Sequence, residues 1–79
     1  MCVILEIEPG AMVPDDKLKT ACDINKHGFG IAYAKSGEVK IIRSLVDNDP
    51  GVVQNHLREQ KDYRRFVNLR HATVGTVTM

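Results

Sequence analysis

The order of strand-like and helix-like segments is the feature that most constrains the fold of this chain. Apolar residues recur with a period of two in some segments and at three-and-four spacing in others. Strands are predicted at 1–8, 29–34, 39–45 and 66–70, helices at 15–26 and 51–61, and a strand extension or a fifth strand at 73–78. The turn at 35–38 makes a hairpin of the second and third strands.

The order β-α-β-β-α-β(β) predicts an α/β fold of the α+β kind, in which two helices pack on a mainly antiparallel sheet. With 79 residues, the chain is predicted to form a single domain, 1–79, with a thin core. Basic and acidic residues nearly balance, 11 against 10, and the aromatic residues are two Tyr and two Phe. A nucleic-acid-binding module is therefore the weakest of the function classes considered.

The cysteine content and the absence of a long apolar run bear on compartment and cofactors. Two cysteines without a C-x-x-C spacing predict neither a disulfide framework nor a metal site, and we expect no cofactor. No apolar run approaches the ~20 residues that cross a bilayer, so no membrane partner is expected. Reduced thiols are typical of a cytoplasm, so we expect a cytoplasmic location. If the protein is encoded by a phage, this is the cytoplasm of its host.

Basic side chains concentrate in the last third of the chain. Arg58, Lys61, Arg64 and Arg65 lie close together in the sequence. Such a run is either an ordinary solvated face or a contact patch for an acidic protein surface or a phosphate backbone. These four residues are therefore the candidate partner-binding residues.

Cys2 directly follows the initiator methionine, and this position gives it a chemical possibility. Removal of Met1 would leave Cys2 with a free α-amino group, whose pKa of about 8 suits a base that activates the neighbouring thiol. One residue would then supply both nucleophile and base. The structural alternative is a small apolar residue in a strand.

A second candidate lies in the segment 68–75, which contains Arg70 and Thr73. A guanidinium can bind a carboxylate through two parallel hydrogen bonds, and a Thr hydroxyl can add a third. The structural alternative is an arginine at the edge of a strand.

These segments occur together in an order that resembles a known family. The motifs are Met1-Cys2, N-x-x-G-x-G-x-A-Y at 25–33, Gly37-Glu38-Val39, and L-R-H-A-T-x-G at 69–75. Together they resemble the N-terminal part of a class II glutamine amidotransferase, a member of the N-terminal-nucleophile hydrolase superfamily. The resemblance covers nearly the whole chain.

The resemblance implies a fold and a set of roles. It implies half of the four-layer sandwich of that superfamily. By position, Cys2 would attack the side-chain amide of glutamine and release ammonia, while Arg70 and Thr73 would hold the α-carboxylate of the substrate. His27 stands where relatives often have Asp, so the resemblance gives His27 no catalytic role.

Several features depart from the family pattern. Val3 replaces the usual Gly, and Val74 stands where the family often has His. The family continues with an Asn-x-His-Pro-Phe segment, an Asn-Gly pair that supplies oxyanion donors, and an Asp that holds the substrate amine. None of these falls within the 79 residues. Because losing one oxyanion donor costs about 2.7–4 kcal/mol, we expect no catalysis and regard Cys2, Arg70 and Thr73 as vestigial.

Three expectations about function follow. The first is a non-catalytic protein-binding module derived from an amidotransferase-like domain, a small phage-type protein that binds and modulates a host machine such as bacterial RNA polymerase. An incomplete sandwich would offer it an exposed strand edge and an uncovered apolar face. The second is a fragment of an active amidotransferase with Cys2 as nucleophile. The third is a weak nucleic-acid-binding module.

Overall fold

The computed structural model describes residues 2–45 and 48–71, which form six elements. They are β1 (Cys2–Ile7), α1 (Asp15–Ile24), β2 (Phe29–Lys35), β3 (Glu38–Ser44), α2 (Pro50–Glu59) and β4 (Arg65–Arg70). The predicted order of strands and helices is confirmed. The predicted strand at 73–78 lies outside the described residues. Each helix in the described ranges has ten residues, and none could cross a bilayer.

The four strands form one antiparallel sheet in the order β1-β4-β2-β3. The first and last strands are therefore neighbours, and β4 lies between β1 and β2. Strands β2 and β3 form the predicted hairpin. Its turn contains Ser36 and Gly37, both with positive φ, at 53° and 78°, which is the backbone that matches the twist of a tight hairpin.

Both helices pack on the same face of this sheet. Their core residues are Leu18 and Cys22 on α1 and Val53 and Leu57 on α2. The strands add alternate residues, as expected for one buried face of a sheet: Ile7, Phe29, Ile31, Val67 and Leu69. Asp49 begins α2 by accepting a hydrogen bond from the Gly51 amide at 2.8 Å, which satisfies one of the first free donors of the helix.

The opposite face of the sheet, here called the open face, has no layer packed on it within residues 2–45 and 48–71. Its apolar side chains include Ile4, Ile41 and Phe66, which are 73%, 53% and 44% exposed. The structure is thus a mixed α+β domain with one open sheet. The four-layer sandwich implied by the resemblance stays a prediction.

Candidate functional site

The pairing of β1 with β4 brings the two most distant candidate residues together. Cys2 is the register partner of Arg70, at one end of the sheet. Cα atoms of directly opposed residues in an antiparallel pair are about 4.5–5.5 Å apart. Arg70 has the same parity in β4 as Phe66, so its side chain belongs to the open face. Thr73 lies outside the described residues.

A cavity of about 410 Å³ adjoins this end of the open face and is here called the glycine trough. Gly30 is its floor, because Gly30 is paired with Asn68 of β4 on one side and with Arg43 of β3 on the other. A residue without a side chain between two that have one leaves a depression in the sheet. The lining residues are His27, Gly28, Phe29, Gly30, Ile41, Arg43, Ser44, Asn68 and Arg70.

Gly28 ties the entrance of β2 to the end of β4. Its φ is +112°, and a Cβ atom there would lie 2.6 Å from the Ser44 carbonyl oxygen, so this position requires glycine. The Gly28 carbonyl accepts a hydrogen bond from the Arg70 amide at 2.9 Å, and the Arg70 carbonyl accepts one from the His27 amide at 2.7 Å. Both backbone polar groups of Arg70 are therefore held by the segment 27–28.

Buried amide side chains support the same corner. The Asn48 Nδ2 atom donates to the carbonyl oxygens of Asn25 and Gly28, at 2.6 and 2.8 Å. Asn25 Nδ2 in turn donates to the Ala21 carbonyl at 3.0 Å and so helps to end α1. The Asn and the first Gly of the 25–33 motif thus have structural roles that position Arg70. Asn48 itself was not predicted, since a polar residue in a loop carries no sequence signal of burial.

The glycine trough carries positive charge. Within residues 2–45 and 48–71, neither Arg43 nor Arg70 makes an ion pair or a side-chain hydrogen bond, and no acidic residue lines the cavity. The rings of His27 and His71 stack beside it, with centroids 5.0 Å apart. Two guanidinium groups in one depression make a potential that attracts anions. The sequence reasoning missed Arg43, because the pairing of β4 with β2, which brings Arg70 to the same cavity, was not predicted.

The predicted partner-binding residues do not form one patch. The prediction that Arg65 is a surface residue is wrong, because Arg65 is fully buried, with 0% exposure. Val67 and Leu69 point toward the helices, and Arg65 shares their parity in β4. Its guanidinium donates to backbone carbonyl oxygens instead of meeting solvent, and these belong to Glu8, Ala11, Leu57 and Tyr63.

The other three basic residues are exposed but separate. Arg58 is on α2 and donates to Asn55 Oδ1 at 3.1 Å, while Lys61 follows the helix in a turn. Arg64 instead forms an ion pair with Glu6, whose parity places it on the open face. They stay candidates for partner contacts, although not as a continuous surface.

Cys22 is not a candidate nucleophile. It is buried in α1 against the core. Burial raises the pKa of its thiol, and the nearby Asp23 and Asp49 raise it further. A buried thiol with a raised pKa is unreactive. No group of three or more His, Cys, Asp or Glu side chains suited to a metal ion occurs among the described residues.

The chain was compared with protein-family models, with curated proteins and with solved structures, and none of them matches it. The resemblance to class II glutamine amidotransferases therefore rests on the motifs at 1–2, 25–33, 37–39 and 69–75 alone.

Proposed function

We propose that this chain carries the nucleophile and the carboxylate-binding arginine of a glutamine-hydrolysing site. The observation that carries the proposal is the register of β1 and β4, in which Cys2 is the direct partner of Arg70. The two positions are at opposite ends of the described sequence, yet the strand pairing makes them neighbours at one end of the sheet. This juxtaposition favours a site over the non-catalytic reading of the same residues.

The proposed chemistry begins after removal of Met1. The free α-amino group of Cys2 takes the proton of the thiol, and the sulfur attacks the side-chain amide carbon of glutamine. The C–N bond breaks, and ammonia leaves with a proton returned by the α-ammonium group. Water then hydrolyses the thioester to glutamate and regenerates the thiol.

Arg70 has the properties that the carboxylate-binding role needs. Its backbone is fixed by hydrogen bonds to His27 and Gly28. Its side chain has no ion-pair partner among the residues described, so binding a carboxylate would break no ion pair within them. It also lines the glycine trough, where a small ligand would be partly shielded from water.

Replacing Arg70 by glutamine is the first test of this function. Charge-assisted hydrogen bonds contribute about 1.5–3 kcal/mol, so the KM for glutamine should rise by about 10–150-fold, with a smaller change in kcat. Ammonia release is measured on protein whose intact mass shows that Met1 is absent. Arg58→Gln is the matched control and should leave KM unchanged. Processed wild-type protein that releases no ammonia would contradict the proposal, as would an unchanged KM in Arg70→Gln.

A second candidate function is protein binding through the open face. The exposed Ile4, Ile41 and Phe66 support it, because contiguous apolar side chains on a surface are typical of interaction sites. We propose as this alternative a small phage-type regulator that binds bacterial RNA polymerase. The exposed Arg64, which is ion-paired with Glu6 on the open face, would lie at the edge of such a contact.

Phe66→Lys tests the second candidate against purified bacterial RNA polymerase. Replacing a residue that dominates an interface costs about 2 kcal/mol of binding free energy or more, so the affinity of the variant for the polymerase should fall by about 30-fold. Val52→Lys, on the exposed side of α2, places the same charge away from the open face and should have no effect. Wild-type protein that does not bind the polymerase, or a Phe66→Lys variant that binds as well as wild type, would refute this alternative.

A further inference from the structure

We infer that the glycine trough binds a small dianion, held by Arg43 from one side and Arg70 from the other. The inference goes beyond the proposed function, which gives Arg70 a role but gives none to Arg43. It depends on no step of glutamine hydrolysis. It rests on the shape of the trough, on its positive charge and on the absence of ion pairs at Arg43 and Arg70 among the described residues.

The shape follows from one residue. Gly30 separates Asn68 from Arg43 across three strands. Adjacent strands are about 4.8 Å apart, so the flanking strands β4 and β3 lie about 10 Å apart, a gap that two arginine side chains can reach across. The backbone at Gly30 does not require glycine: a Cβ atom there would meet nothing closer than the Ile42 carbonyl oxygen at 4.0 Å. A side chain at this position would therefore fill the trough without straining the sheet.

The charge of the trough is unbalanced. Elsewhere in the described residues, Lys19, Lys40 and Arg64 each pair with a carboxylate. Arg43 and Arg70 do not, and they face the same cavity. A ligand with a single negative charge would satisfy one guanidinium and leave the other unpaired. A ligand with two negative charges would pair with both through charge-assisted hydrogen bonds.

The size and the remaining lining favour a small molecule. A volume of about 410 Å³ is within the range of small-ligand sites. The Asn68 side chain adds a polar group at the rim, and Ile41 adds apolar surface. A nucleic-acid strand would need a longer run of cations and stacking aromatics than this cavity offers.

The test uses the Cys2→Ala protein, so that binding is measured without glutamine hydrolysis. Glutarate and inorganic phosphate are titrated at constant ionic strength, with acetate as the singly charged control. At least one dianion should bind about tenfold or more tightly than acetate, and the comparison of glutarate with phosphate tells whether the natural ligand carries carboxylates or a phosphate. Equal affinity for acetate and both dianions would overturn the inference.

Three variants assign the binding to the trough. Arg43→Gln should lower the affinity for the preferred dianion by about tenfold or more. Gly30→Val should also lower this affinity, because the valine side chain fills the space above Gly30. Arg58→Gln removes an equal charge from α2 and should leave the affinity unchanged. Unchanged binding in Arg43→Gln would overturn the inference, since that residue distinguishes this site from the proposed glutamine site. Tighter binding of a short single-stranded oligonucleotide than of either dianion would also overturn it.

Discussion

Ammonia release from glutamine is expected to fall by about 10⁴-fold or more when Cys2 is replaced by alanine. The thiol is the atom that forms the thioester in the proposed reaction, and alanine leaves no nucleophile at that position. The assay follows glutamate and ammonia together, because equal amounts identify amide hydrolysis. Cys2→Ala also keeps the small size of the residue, and its backbone pairing with Arg70 is unaffected.

Cys22→Ala is the matched control for this experiment. It removes the other thiol of the chain, which is buried in the core and has a raised pKa. Its activity should stay within about threefold of wild type, since a buried thiol of this kind has no part in the chemistry. Equal loss of activity in the two variants would indicate damage to the fold. Full activity in Cys2→Ala would exclude Cys2 as the nucleophile.

The largest effect on stability is expected for Arg65→Met. The Arg65 guanidinium donates to carbonyl oxygens in three separate parts of the chain: the segment after β1, the last turn of α2, and the turn before β4. It also lies 3.6 Å from the Met12 sulfur. Methionine occupies a similar volume but donates no hydrogen bond, so several buried carbonyl groups lose their partner.

Each unsatisfied buried acceptor costs about 1–3 kcal/mol. We therefore expect Arg65→Met to lower the free energy of unfolding by about 3–5 kcal/mol, a large part of the roughly 4–12 kcal/mol typical of a domain of this length. The Tm should fall by more than about 15 °C. Urea and thermal unfolding followed by circular dichroism measure both quantities.

Two further variants identify the cause of that loss. Arg65→Lys keeps a positive charge but has three donors on one nitrogen, so it should recover only part of the stability. Burial lowers the pKa of Arg65, although a guanidinium keeps its charge at neutral pH. Arg64→Met removes an exposed ion pair with Glu6 and should cost less than about 1 kcal/mol. An Arg65→Met protein as stable as the Arg64→Met protein would contradict the structural role of Arg65.

The local pattern was sufficient to predict the elements and their approximate bounds. Period-two alternation marked the strands, and three-and-four spacing placed Leu18, Cys22, Val53 and Leu57 on the inner faces of the helices. Both helices end two residues earlier than predicted, at Ile24 and Glu59. At the end of α1, the Asn25 side chain donates a hydrogen bond to the Ala21 carbonyl oxygen. Such a side-chain hydrogen bond competes with continuation of the helix, and the spacing of apolar residues does not indicate it.

Arg65 shows where the same pattern was applied incompletely. The last strand was predicted to begin at Phe66, which left Arg65 outside it and assigned it to a solvated basic run. The strand begins one residue earlier, so the parity of Val67 and Leu69 turns Arg65 inward and Phe66 outward. The alternation of the strand already indicates that Arg65 points inward and Phe66 outward. The usual preference of arginine for solvent and of phenylalanine for the core argues for the opposite arrangement.

The sequence by itself determined the secondary structure, the antiparallel hairpin and the identity of the residues able to carry chemistry, because these depend on short-range periodicity and on side-chain type. Only the tertiary structure decided that β4 lies between β1 and β2. That order makes Cys2 the partner of Arg70, and the pairing of β4 with β2 brings Arg70 to the cavity that Arg43 lines on the other side of Gly30. Strand order and register come from long-range pairing and packing, which local residue patterns leave open.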